Sequence, residues 1–379
     1  MDSAIAPARE RRIGEVSPLA QKIAQRIRLH GPISVAAFMA DALGHPQHGY
    51  YMKTDPLGRH GDFITAPEIS QMFGELVGLW CAEVWRLMER PDPFHLVELG
   101  PGRGTLMADA LRAAKVLPGF GEAARIHLVE TSPALRARQQ AALEAWPMSW
   151  HDGVGDVPDG PLIVIANEFF DALPVHQFER APEGWRERLV ALDGGRFVLL
   201  RSRHPSPAEL LIPESTRTAA PLGAVAEVSP ASVSTMRAIA ERIERDGGGA
   251  LLIDYGHAEH RTGATLQAVR RHRSHDFFAD PGDADLTAHV DFAALAAIAR
   301  PHAAVYGPVT QGAFLRSLGI ELRARQLLQG ATGAQKDTIE AALRRLIDPA
   351  EMGTLFKALA ICDRDLATPP GFETAASTG

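Results

Sequence analysis

Residues 95–105 read His95-Leu96-Val97-Glu98-Leu99-Gly100-Pro101-Gly102-Arg103-Gly104-Thr105. A short, mostly apolar run passes into three glycines at alternate positions. Thr105 then opens a stretch to Lys115 with Leu106, Ala110, Leu111 and Ala114 at helical spacing. A buried strand that turns through glycines into a helix offers a ligand close approach to the backbone, free N–H groups and the positive end of a helix dipole. The spacing is Gly-x-Gly-x-Gly. A dinucleotide fingerprint needs its third glycine one position later, where Thr105 stands, so a nicotinamide dehydrogenase is the weakest reading.

Outward from this loop, strand and helix signals alternate. Strands are expected at Ile126-His127-Leu128-Val129-Glu130, around Met148 to Trp150, at Leu162 to Ala166, at Ala250 to Asp254 and at Ala304 to Tyr306, with Lys357 to Cys362 returning to the sheet edge. Leu162 to Ala166 is apolar throughout, as in the middle of a parallel sheet. Helices are expected after Ser132-Pro133 and Ser229-Pro230, over Asp291 to Ala299, Phe314 to Gln329 and Gln335 to Ile347. Before the loop, Thr65 with Glu68 three residues on reads as a capping box. It would open one helix bearing Ile69, Met72, Phe73, Leu76, Trp80, Val84 and Leu87. Ser34 is expected to cap a helix ending at Gly44, and Arg186 to Leu200 to form a hairpin turning at Asp193-Gly194-Gly195. The fold class is α/β, a doubly wound Rossmann-like sheet with an added N-terminal helical region and helical and hairpin insertions.

The chain has 379 residues, 46% hydrophobic and 22% charged, with a formal net charge of −7. That composition excludes wholesale disorder and collagen-like repeats, and the acidic balance argues against a nucleic-acid or anionic-membrane binder. No apolar run is long enough for a membrane span. Cys81 and Cys362 read as free thiols of a reducing compartment, which suggests a cytoplasmic protein. The pairs His257-x-x-His260 and His272-x-x-His275 lie in a polar, arginine-rich loop without cysteine, so no metal is expected. Residues 1–17 and 366–379 read as flexible tails, 18–90 as a helical lid or substrate region, and 91–365 as the core. Inserts are expected at about 185–213 (hairpin) and about 312–356 (helical).

Strand-Glu-x-Gly-x-Gly-x-Gly resembles motif I of class I S-adenosylmethionine-dependent methyltransferases, where the loop wraps the amino-acid end of the cofactor. Glu98, Gly100, Gly102 and Gly104 are therefore set as cofactor-binding. Glu130 ends the second strand, where a carboxylate can accept both hydroxyls of a ribose; it lies 26 residues beyond Gly104, the excess being the insert Leu117 to Glu122. Asp152 follows the third strand, and the resemblance places it where such enzymes bond the adenine amino group. Asn167, Thr65 and Glu68 are also placed beside the cofactor.

The resemblance extends to the MidA-like methyltransferases, across roughly residues 18–363. It is carried by the glycine loop together with Gly61-Asp62-Phe63-Ile64-Thr65-Ala66-Pro67-Glu68-Ile69-Ser70, Ala166-Asn167-Glu168-Phe169-Phe170-Asp171-Ala172-Leu173-Pro174-Val175, Asp254-Tyr255-Gly256-His257 and Asp285-Leu286-Thr287-Ala288-His289-Val290-Asp291-Phe292. The family includes a mitochondrial complex I assembly factor that methylates an arginine of a core subunit. The resemblance implies S-adenosyl-L-methionine as cofactor, protein arginine methylation, and a protein substrate, a complex I core subunit among the candidates. It also implies a bacterial cytoplasmic or mitochondrial-matrix location.

Arginine is a poor nucleophile because its guanidinium stays protonated. Carboxylates beside it can fix the plane by bidentate bonding and localise charge on one nitrogen. The loop after the fourth strand carries such acids: Glu168 is the first choice for the clamp and Asp171 the second, with Phe169 or Phe170 able to stack on a planar cation. His289 is the candidate base or donor. Two other readings stand beside this one: a non-catalytic assembly chaperone keeping the cofactor fold, and a methyltransferase for another side chain or a small molecule.

Overall fold

The computed structural model describes residues 17–53 and 65–373. Most of the expected N-terminal tail, the last residues of the expected C-terminal tail, and Gly61 to Ile64 of the signature segment lie outside these residues. The chain divides into two compact units. One takes the described residues up to 53 with Pro174–Ser229 and Thr262–Thr287; the other takes 65–173, 230–261 and 288–373. Of the region expected as a lid, residues 18–53 fall in the first unit and 65–90 in the second.

The first unit is built on antiparallel pairs. Gly184–Asp193 is its central strand and pairs with His176–Ala181, Ile33–Ser34 and Arg196–Arg201. The hairpin to Arg196 turns on Gly194 and Gly195, both at positive φ (55° and 80°), as a two-residue turn matching strand twist requires. Ser34 caps the helix Val35–Gly44, its Oγ accepting from Ala37 N at 3.0 Å. That helix sends Phe38 edge-on against Phe197, Phe277 and Phe278.

The second unit is the doubly wound body. Its strands are β1 (Phe94–Leu99), β2 (Ala124–Val129), β3 (Met148–His151), β4 (Leu162–Asn167), β5 (Gly248–His257), β6 (Ala304–Thr310) and β7 (Phe356–Cys362). They lie in the order β3-β2-β1-β4-β5-β7-β6. Strands β1 to β5 are parallel, while β7 runs antiparallel to both β5 and β6. The expected return of β7 to the sheet edge is corrected: it fills the gap between β5 and β6, and β6 is the edge. Alternate residues of each strand feed two apolar layers. The order reverses between β1 and β4, the switch point where such sheets open a crevice for ligands. The glycine loop and the Asn167 loop leave the sheet there.

The expected single helix from Thr65 is in fact two. Helix α1 (Ala66–Ile69) stops at Ser70, whose extended backbone and hydroxyl cap α2 (Gln71–Leu87) through Met72 N at 3.2 Å. Thr65 makes no side-chain capping bond. Helix α2 buries Met72, Phe73, Leu76, Val77, Trp80, Val84 and Trp85, and it crosses α3 (Thr105–Ala114) almost backbone to backbone. A Cβ at Gly78 would lie 2.4 Å from Ala110 Cα, and one at Gly74 2.6 Å from Asp109 Cβ. One turn along, the nearly buried Glu75 accepts from Arg323 Nε (2.8 Å) and Nη2 (3.1 Å), tying in the helix Ile320–Gln329. A chain of imidazoles crosses three strands on the opposite face. His95 Nε2 meets the carbonyl of Asp159 at 3.1 Å, His95 Nδ1 meets His127 Nε2 at 2.9 Å, and His127 Nδ1 meets His151 Nε2 at 2.9 Å. Because a carbonyl only accepts, His95 carries its proton on Nε2. The same tautomer then follows for His127 and His151. Among the described residues, no helix is long and apolar enough to cross a membrane.

Burial, with the charges of His95, His151 and Arg242, pushes His127 down to about 4 from its ordinary 6.5. Between those values the unfolded chain binds the extra proton. The stability this residue contributes is therefore present above pH 6.5 and lost as the pH falls toward 4. His127→Gln, which keeps a donor and an acceptor, is expected to flatten the fall of melting temperature across that window. An acid limb of unchanged slope counts against the neutral chain. Arg323→Ala, which removes both short bonds to Glu75, is expected to cost about 1–3 kcal/mol, read as a lower urea midpoint at constant slope.

Candidate active site

The glycine loop turns on three positive φ angles, 60° at Gly100, 54° at Gly102 and 83° at Gly104. Gly100 is also held by space: a Cβ there would sit 2.9 Å from Phe169 Cδ2. Gly104 is the N-cap of α3, so the first amides of that helix have no carbonyl partner within it, and that of Met107 bonds the Glu98 carboxyl. Beneath the loop, Glu98 is buried and its Oε2 has no hydrogen-bond partner. Burial pushes its carboxyl up to about 8. By strand alternation Glu98 shares a sheet face with Asn167, the last residue of the neighbouring β4. Asn167 Oδ1 is likewise buried without a partner. Two buried acceptors lie beside a loop whose Gly100 and Gly104 amides are bonded to Val129 O (3.0 Å) and Pro101 O (2.8 Å), an arrangement that suits a ligand carrying both an ammonium and a carboxylate group.

Glu130 follows β2 and is buried. Its Oε1 accepts from Ser132 N at 2.8 Å and its Oε2 from Gln139 Nε2 at 3.2 Å, while burial raises its pKa. Gln139 is a residue the sequence reading missed. It is fully buried on α4 (Pro133–Ala142) and also donates to Gly102 O at 2.7 Å, and its Oε1 accepts from Trp150 Nε1 at 2.8 Å. One amide thus ties the glycine loop, Glu130 and β3 together. The signal was present as a polar residue at an inward helical position, four after Leu135. Asp152 is largely exposed and takes Arg136 Nη2 at 2.7 Å; the same guanidinium bonds the Glu130 carbonyl through Nε at 2.7 Å.

Glu68, expected in a capping box, turns to the glycine loop instead. Its Oε1 accepts from Thr105 Oγ1 at 2.5 Å and its Oε2 pairs with Arg103 Nη1 at 3.6 Å. From the same short helix, Ala66 N donates to Glu168 Oε1 at 2.8 Å. Helix α1 therefore bonds both loops that leave the switch point. Thr65 is half-buried just before it.

Glu168 adopts φ 49°, a left-handed conformation that costs a residue with a Cβ about 1–2 kcal/mol. Its N–H donates to Ile253 O at 2.9 Å, and its Oε1 also accepts from Asn167 Nδ2 at 3.2 Å. Asp254, in β5 just past its last pairing with β4, was quoted in the sequence but given no role. Its Oδ2 accepts from the amides of Phe169 (3.2 Å), Phe170 (3.0 Å) and Asp171 (3.2 Å), and its Oδ1 from Tyr255 N (2.9 Å). Burial, and then the neighbouring Glu168 charge, push the Asp254 pKa up, against the pull of these amides. Asp171 is buried and its carbonyl accepts from Ala288 N at 3.0 Å. Phe170 is a core residue at 3% exposure and is not available to stack on a ligand, whereas Phe169 lies half-buried against Gly100. His289 stands edge-on to Tyr255 with ring centres 5.4 Å apart. His260, from the histidine pairs, bonds Asp291 Oδ2 through Nδ1 at 2.8 Å.

Residues 76–309 match the family of S-adenosyl-L-methionine-dependent methyltransferases. Among curated proteins, the chain is 43% identical to the Drosophila melanogaster "protein arginine methyltransferase NDUFAF7 homolog, mitochondrial", covering 90% of this chain and 84% of that one. It is 37% identical to the human protein arginine methyltransferase NDUFAF7, mitochondrial, over 91% and 83%. Among solved structures, it is similar to a Burkholderia thailandensis protein described as a "likely methyl transferase" and bound to S-adenosyl-homocysteine. The TM-score is 0.81 at 28% identity, over 97% of both chains. The chain belongs to the S-adenosyl-L-methionine-dependent methyltransferases.

Proposed function

We propose that this chain is a protein arginine N-methyltransferase whose acceptor is a respiratory complex I subunit and whose role lies in assembly of that complex. The observation that carries the reading is the carboxylate of Glu168, held at the crevice rim beside the glycine loop. It is joined by the names of eight curated relatives at 37–43% identity, each called a protein arginine methyltransferase. A location where complex I is assembled follows from it, the bacterial cytoplasm or the mitochondrial matrix.

In this reading the Gly102 and Thr105 amides take the cofactor's carboxylate, the Gly100 and Gly104 amides being bonded to Val129 O and Pro101 O, and Glu98 with Asn167 accept from its ammonium group. Glu130 accepts from the ribose hydroxyls, and Asp152 lies at the adenine end. Thr65 and Glu68 close the loop from the α1 side. Bound S-adenosylmethionine supplies an electrophilic methyl group on a sulfonium. Glu168 accepts two N–H bonds from the acceptor guanidinium, which fixes the plane and leaves one nitrogen presented along the line of transfer. The bonds from Ala66 N and Asn167 Nδ2 hold that carboxylate in one rotamer. Asp171 adds negative charge behind it, and His289 takes up or relays the proton released.

Calorimetry with S-adenosyl-homocysteine is expected to show binding to the full chain. Gly100→Val, which meets both the positive φ and the Phe169 ring, should weaken it by at least about tenfold. Unaltered affinity in that folded variant would remove the glycine loop from the cofactor site. Glu168→Gln should lower kcat toward an arginine-bearing subunit by about 10²- to 10³-fold while homocysteine-product affinity holds. Retained methylation would sink the clamp. Loss of methylation with assembly intact in cells would favour a chaperone role.

A further inference from the structure

The register places Asn167 opposite Ile253, so the chain leaving β4 passes over Asp254, the β5 residue just past the last pairing with β4. Three successive amides, those of Phe169, Phe170 and Asp171, converge on one oxygen of that carboxylate at 3.0–3.2 Å, and the other oxygen takes Tyr255 N. Successive N–H groups turned to one side make a concave anion site. Here the anion is part of the chain itself. Asp254 is 1% exposed, so these amides are its solvation.

Glu168 stands immediately before the three amides, in the left-handed region at φ 49°. A residue with a side chain persists there only where its surroundings over-determine it. The bond from Glu168 N to Ile253 O holds the chain on one side, and the amides bound to Asp254 hold it on the other. We infer that Asp254 is the positioning residue of the acceptor site: its carboxylate locks the 169–171 backbone and thereby fixes where the Glu168 carboxylate stands. It acts through Glu168 and touches no reacting atom. The catalytic arm of this inference rests on the reading of Glu168 as the guanidinium clamp; the structural arm does not.

Asparagine discriminates best. It is the same size, but one of its two ends is an NH2 group. Whichever way it turns, that donor faces other donors, either the three loop amides or Tyr255 N. The first experiment is amide hydrogen exchange by mass spectrometry on the full chain without ligand. Asp254→Asn should speed exchange of the 169–171 amides at least about tenfold. Peptides from β1, β2 and β4 should keep their protection, and S-adenosyl-homocysteine affinity should stay within about threefold. Unchanged exchange at 169–171, or acceleration spread evenly over the sheet, overturns the inference.

The second experiment is a kinetic cycle with an arginine-bearing acceptor. Asp254→Asn should lower kcat by about 10²-fold, and added to Glu168→Gln it should cost nothing more. Multiplying losses overturn the inference, because they mean that Asp254 acts by a separate route. If Glu168→Gln alone keeps wild-type activity, it is the clamp reading that fails, and the exchange experiment still decides the positioning of the loop. Should Asp254→Asn not fold, Glu168→Gly combined with it should, since glycine carries no penalty at that φ. Failure of the double variant as well assigns Asp254 to the fold at large and overturns the inference.

Discussion

A buried carboxylate needs donors, and a strand end that turns sharply has donors to place. Where β4 ends beside β5 these two needs meet. Asp254 collects four backbone N–H groups, three from the loop that follows β4 and one from its own neighbour. The exchange is local, but much is attached to it. The loop it holds carries the acid at the crevice rim, and the half-buried Phe169 lies against Gly100. The carbonyl of Asp171 receives Ala288 and so anchors the chain approaching His289. A hydrogen bond to a charged group contributes about 1.5–3 kcal/mol. Here several share one acceptor, and the cost of leaving that acceptor alone in the interior is larger than any one of them.

Glycine spacing, strand alternation and caps are local signals, and they were legible. The run from His95 to Thr105, the Ser132-Pro133 start and the apolar Leu162 to Ala166 announced strand, loop and helix before any contact was known. What was not legible came from partners distant in sequence. Thr65 and Glu68 satisfy a capping box on spacing alone, yet Glu68 finds Thr105 and Arg103, and the cap passes to Ser70. Gln139 looked like one of several polar residues on a surface helix and proved to be the amide under the glycine loop. Asp254 lies in an otherwise apolar strand; a burial pattern can flag such a residue as unusual but cannot name the three amides that justify it. The division of the N-terminal residues between two units was equally hidden, since α2 and the helices before residue 54 carry similar apolar stripes.

The site residues differ in how they are held. Gly100 to Gly104 are shaped by backbone angles that other residues resist. Glu130 and Gln139 are fixed by mutual hydrogen bonding in the interior. Asp152 is exposed and steered only by Arg136. The hold on these residues thus grades from buried and bonded near the switch point to exposed beyond β3.

The crossing of α2 over α3 has a consequence for how the loop answers a disturbance. Where two helices are separated by a layer of side chains, a change in one can be absorbed by rotamers before it reaches the other. At Gly74 and Gly78 no such layer exists, since any added carbon meets backbone or a Cβ of α3. The two helices must move as one solid piece, and Gly104 is the N-cap of the second. A push on the outer face of α2, by a partner or by a substitution, therefore reaches the glycine loop undamped, as through a lever with no spring in it.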